Sequence, residues 1–274
     1  MRFQSGSSLT FCQRVERQID HMQKQGNVEI APSHLIIVPG HAIYIGTDRS
    51  QVYFTGPRNW VGTYTGYRYE DEVPLYVDHI RRGVVEASFD PASVLVFSGG
   101  HTRALDLVPA GTSPVSEAQG YWNLAEQCNW FNCMPVKART KTEEFARDSY
   151  ENLLFSWCLF RQEFRVNPEK VTVCGLMFKK ARYEHHAAVI RRDLDVGSFR
   201  FNYLSVNDPP EYVLDAGSRL GEMETMAAFQ ADHHGEGDFL DGTRKGRDKV
   251  LRPFAYQLPQ KKKAKQVVAE LCLD

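Results

Sequence analysis

The chain lacks any bias of charge: 33 lysines and arginines stand against 34 aspartates and glutamates. Such a balance gives no whole-molecule field to attract nucleic acid or an anionic membrane, so neither is expected as a partner. No apolar run approaches the roughly 20 residues that cross a bilayer, and Met1 to Thr10 carries no apolar core of a secretory signal. No C-x-x-C pair occurs among the six cysteines, Cys12, Cys128, Cys133, Cys158, Cys174 and Cys272. Most of them sit inside apolar runs, which fits buried free thiols better than a disulfide framework or a zinc cluster. No G-x-S-x-G elbow surrounds Ser149, which argues against serine-hydrolase chemistry. There is no internal repeat. These absences lead to the expectation of a cytoplasmic globular protein, and the Lys261-Lys262-Lys263-Ala264-Lys265 run leaves nuclear access open.

What is present is an alternation of short apolar runs and amphipathic stretches. Leu9, Cys12, Val15, Ile19 and Met22 have helical spacing over residues 8–25. His34 to Val38 reads as a strand buried on both faces, ending at Pro39-Gly40. The stretch from His41 to Tyr69 reads either as a hairpin around Tyr53 or as a long functional loop. Residues 70–86 read as a helix with Pro74 in its first turn, and Val94 to Phe97 as a second strand. Ser113-Pro114 offers an N-cap and first-turn proline for a helix reaching Phe131, and Thr142-Glu143-Glu144 opens the next. Val171 to Leu176 is a third strand, Lys179 to Arg192 a basic helix and Phe199 to Val206 a further strand. Arg219 to His233 is a helix followed by a Gly/Asp/Arg-rich loop. This order implies an α/β fold with parallel pairing.

The strand Ser93 to Phe97 delivers Ser98-Gly99-Gly100-His101-Thr102-Arg103 to a sheet edge. In open α/β sheets, ligands lie beyond the carboxyl ends of the strands. Gly40, Gly99 and Gly100 either turn the chain or bring backbone N–H groups close to a phosphate or carboxylate. His41 and His101 follow these glycines and suit acid–base work or hydrogen bonding. Glu117 either complements a helix dipole or grips a ribose-like diol or acts as a base. Asn152 is expected to tie two strand-end loops together or to read a ligand directly, and Ser98 and Thr102 are further ligand-binding candidates. Arg103, Lys179 and Arg182 would neutralise an anion, or form surface ion pairs. Trp122, Trp130 and Phe131 read as core, and Glu184-His185-His186 as a solvated face. His233-His234 with Glu236 and Asp238 reads as a polar helix end, and Thr243 to Lys249 as a solvated loop. No metal motif is present, and no metal is expected.

Five motifs stand in one order: Ile36-Ile37-Val38-Pro39-Gly40-His41; Ser98-Gly99-Gly100; Ser116-Glu117-Ala118; Asp148-Ser149-Tyr150-Glu151-Asn152; and Phe178-Lys179-Lys180-Ala181-Arg182. Together they resemble the YdcF-like family, which includes the bacterial SanA and ElyC proteins. The resemblance covers residues 33–205 and implies a Rossmann-like three-layer sandwich with a mostly parallel sheet and one crevice at the motif ends. Relatives usually carry a histidine where this chain has Lys179, and many bacterial relatives begin with membrane-spanning segments that this chain lacks. Residues 1–32 would then be an N-terminal helix, 33–206 the YdcF-like domain and 207–274 an extension packing on it, with a basic tail.

The leading expectation is a small anionic or nucleotide-like ligand at the strand ends, bound by a protein that is either an enzyme or a binding module. S-adenosylmethionine and nucleotides are of the right class, although no methyltransferase-type glycine fingerprint demands the former. The alternatives are a hydrolase or transferase acting on a phosphorylated or glycan-derived metabolite, and a non-catalytic interaction module.

Overall fold

The structure is a computed structural model that describes residues 30–46, 59–61, 69–102, 115–206, 216–249 and 256–262. Five strands are fully parallel: β1 (His34–Pro39), β4 (Ser93–Ser98), β5 (Thr140–Glu143), β6 (Lys170–Gly175) and β7 (Arg200–Ser205). Their order across the sheet is β5-β4-β1-β6-β7. Two short strands, β2 (Ile43–Tyr44) and β3 (Trp60–Val61), pair antiparallel beside it. The helices are α1 (Tyr69–Ser88), α2 (Glu117–Gln127), α3 (Ser149–Phe164), α4 (Lys180–Asp193), α5 (Ala216–Ala231) and α6 (Asp238–Arg247).

Strand side chains alternate between faces, and both faces are apolar, as a parallel sheet between helices requires. Ile36, Val38, Leu95 and Phe97 pack with Val73, Ile80 and Val84 of α1 and with Tyr121 and Leu124 of α2. Leu35, Ile37, Val94, Val96, Val171 and Val173 face the other way, toward Leu153 and Trp157 of α3 and Tyr183 and Ile190 of α4. Phe229 of α5 and Leu240 of α6 belong to that second cluster. The result is a Rossmann-like α/β sandwich. Chain order runs outward from β1 through β4 to β5, then returns to β6 on the other side of β1. Strand order therefore reverses between β1 and β6, where such sheets open a crevice at their carboxyl ends.

Several elements differ from their sequence reading. Pro74 lies in the second turn of α1, beyond the first-turn position where its missing N–H is harmless. Helix α2 starts at Glu117, with Ser116 accepting a hydrogen bond from the Gln119 N–H, so the cap is Ser116. Ser113 and Pro114 lie outside the described residues, as do the 8–25 helix, Tyr53, and the segment near Val250. The helix stops at Gln127, because Asn129 to Asn132 take left-handed backbone angles, φ 49° to 64°. That turn is unfavourable for L-residues and is offset by burying Trp130 against Phe97 and Trp122. Thr140–Glu143 is a strand, and the following helix starts only at Ser149, capped by Asp148. The Gly/Asp/Arg-rich loop is largely helix α6, its acidic residues in the first turn and basic ones in the last. Among the described cysteines, Cys133, Cys158 and Cys174 are buried thiols outside any disulfide. Burial pushes the Cys158 and Cys174 thiols up to about 12, so both stay protonated and inert.

Candidate functional site

The carboxyl ends of β1 and β4 are drawn together by their glycines. A Cβ on Gly40 would sit 2.5 Å from the Glu117 Cβ, and one on Gly99 would sit 2.7 Å from its Oε2. Only hydrogen at those positions lets the first residue of α2 lie directly on both strand ends. The backbone N–H groups of these turns are already engaged by protein. Gly40 donates to the Ser98 carbonyl at 2.7 Å, Gly99 to Glu143 at 2.9 Å and Gly100 to Ala146 at 2.7 Å. The His41 N–H donates to the Tyr121 hydroxyl, and the first N–H groups of α2 to Gly100 and Gly99. Recognition of a ligand here falls to side chains.

Across the reversal point, the Lys179 Nζ lies 3.3 Å from Nδ1 of His41. Both residues are more than nine-tenths buried. An ammonium can only donate, so Nδ1 accepts and the ring proton is held on Nε2. One turn into α4, Arg182 is equally buried and its Nη2 lies 3.1 Å from Oε2 of Glu222, which α5 brings over the crevice. The Arg182 Nε–H is buried with no hydrogen-bond partner among the described residues. Burial pushes the Glu222 carboxyl up, while Arg182 and Lys179 pull it back down.

The remaining candidates fall into two groups. Glu117 accepts from the Thr102 hydroxyl beside Gly99, so these two stay at the crevice rim with His41. His101 is partly exposed and its carbonyl accepts from the Lys249 N–H. Ser98 and Asn152 form a separate, wholly buried network. The Asn152 amide donates to both the Ser98 carbonyl and hydroxyl, tying α3 to the end of β4. Arg103 lies outside the described residues.

The sequence pattern assigns no site role to five groups that lie near these strand ends. Glu143 is fully buried and accepts from the Ser98 hydroxyl at 2.6 Å and from the Phe145 and Ala146 N–H groups. Burial nevertheless pushes its carboxyl up to about 7. His79 of α1 sets its ring edge-on to His41, centroids 5.7 Å apart. Its signal was a histidine on the core-facing side of an amphipathic helix, one turn from buried Tyr76. His186 was expected on a solvated face but is buried under α5, 4.5 Å from the Phe229 ring and 2.9 Å from the Ser149 hydroxyl. Arg244 was expected in a solvated loop but donates to Asp148 at 2.6 Å and lies 3.4 Å from Glu151. His234 meets the Tyr150 hydroxyl at 2.7 Å. Among the described residues, no group of three His, Cys, Asp or Glu side chains is disposed to hold a metal. No described helix is long and apolar enough to cross a membrane.

Part of the chain is 25% identical to the uncharacterised protein YOR238W of Saccharomyces cerevisiae over 137 residues. The alignment covers 46% of this chain and 44% of the yeast protein, so it spans less than half of that relative. No family model matches the chain, and no solved structure matches it.

Proposed function

We propose that the crevice between the ends of β1 and β6 binds a small anionic ligand. Lys179 and Arg182 neutralise its charge, while Gly40, His41, Gly99, Gly100, His101, Thr102 and Glu117 bound the cleft. The observation that carries this reading is the convergence of two buried cations with His41 at the reversal of strand order. Glu222 already meets one face of Arg182, and the arginine Nε–H that stays open among the described residues suits a phosphate or carboxylate oxygen. Held as its Nε2–H tautomer, His41 is a hydrogen-bond donor to that oxygen. The resemblance of the five sequence motifs to YdcF-like proteins supports the same crevice, with Lys179 replacing the usual histidine. In this reading residues 33–206 form the ligand-binding domain of a cytoplasmic protein, and helices α5 and α6 pack on it through Phe229 and Leu240.

Thermal-shift screening of inorganic phosphate, nucleotides, adenosyl compounds and sugar phosphates tests the proposal. A ligand at ~100 times its Kd adds roughly 2.7 kcal/mol of stability. The expected result is a hit that Lys179→Ala and Arg182→Ala each weaken by about tenfold or more, the worth of one charge-assisted hydrogen bond. A hit unaffected by both substitutions places the ligand elsewhere, and no hit across the panel removes the reading.

A further inference from the structure

His79 is fully buried, and neither of its ring nitrogens has a hydrogen-bond partner among the described residues. Buried polar atoms are ordinarily paired, so a histidine with both nitrogens open in a packed interior calls for an explanation. None of the described residues around it supplies a partner. Tyr76, one turn earlier on α1, faces His41 at 5.3 Å between ring centroids, but its hydroxyl is committed to Glu72 at 2.8 Å. The His79 ring stands edge-on behind His41, on the α1 side of the crevice, whereas Arg182 approaches from α4.

Resting on the reading of the crevice as an anion site, we propose that His79 floors a recess behind His41 that receives an uncharged hydroxyl of the ligand. The anionic group then lies on Lys179 and Arg182, and the ligand class is a phosphorylated sugar or polyol. A neutral imidazole offers one donor and one acceptor, which is the complement of a hydroxyl. Burial and the nearby Lys179 charge lower the His79 pKa to about 3, so a charged group finds no counter-ion in the recess. A site built to bond a hydroxyl discriminates strongly against ligands that lack it, because its own polar atoms are left unpaired.

The test titrates the full chain with inorganic phosphate and, separately, with glycerol 3-phosphate, ribose 5-phosphate and glucose 6-phosphate. The wild type should bind at least one sugar or polyol phosphate more than tenfold more tightly than phosphate. In His79→Leu, phosphate affinity should stay within about twofold while that preference disappears. His79→Gln, which keeps a donor and an acceptor, should retain part of it. In wild-type protein the His79 ring nitrogens should shift in NMR spectra with the preferred sugar phosphate and stay in place with phosphate, a readout that needs no variant to fold. Phosphate binding without any preference, a preference that survives His79→Leu, or unmoved ring nitrogens overturns this inference alone. A wild type that binds none of the four overturns this inference, and the crevice reading falls with it only if nucleotides and adenosyl compounds fail to bind as well.

Discussion

Glu143 sets the most direct test at the scale of the residue. Its carboxyl is fully buried, accepts three hydrogen bonds and is still pushed up to about 7 by desolvation. A carboxyl whose folded pKa is raised contributes stability that is fully present below about 4.5 and is lost as pH rises through about 7. Glu143→Gln copies the protonated form at every pH. The unfolding free energy of the variant, read from urea denaturation, should therefore equal that of the wild type near pH 4 and exceed it above pH 7, by on the order of 2 kcal/mol. Equal free energies across this range would show that the carboxylate is not penalised. The sequence did not disclose this group because Thr140 to Glu143 has no apolar residue, and an edge strand of that composition looks like a helix start. The placing of His41, Glu117 and Lys179 at strand ends, by contrast, follows from the chain itself, since residues after strand-end glycines occupy fixed positions in a parallel sheet.

Elements are held together here by polar contacts that periodicity cannot reveal. Helix α6 combines Gly242 and Gly246 with five charged residues, a sequence of low intrinsic helicity. It is fastened by Arg244, which donates to Asp148 and to the His234 and Gly235 carbonyls. Asp148 also caps α3, so one arginine couples two helices. Arg244→Ala should cost about 3 kcal/mol, because it leaves the buried Asp148 carboxylate without its partner. Chemical denaturation measures this, and a loss below about 1 kcal/mol would make the pair incidental. Helix α5 bears on the crevice in a different way, since Glu222 occupies one face of Arg182. Glu222→Gln removes an internal competitor for that cation. Phosphate affinity measured by calorimetry should rise several-fold in this variant, and a fall would mean that Glu222 helps to hold the ligand.

The architecture of the whole molecule follows from a pattern visible in the chain: buried β-branched runs alternating with helices, with no apolar repeat of another period. Strand order itself was not legible. Nothing in the runs 34–39 and 170–175 says that they are neighbours, yet their pairing creates the reversal point. The coverage of α4 by α5 was equally hidden, and it explains why His186 lies inside. Phe229 is packed in the core cluster with Tyr150 and His186. Phe229→Ala should therefore cost about 3–5 kcal/mol, the range for a fully buried aromatic. If the cost is under 1 kcal/mol, helix α5 is a loosely attached addition.

The central claim is that an anion lies beside His41, where β1 and β6 part. Imidazole nitrogen NMR of the nine histidines during titration with phosphate tests it most directly. His34 is an internal reference at the opposite end of β1, bonded to Asp90 and Thr172 at 2.8 Å each. The account predicts a saturable shift of the His41 ring nitrogens with His34 unmoved. Saturable binding that leaves His41 unmoved, or moves His34 as much, would contradict it.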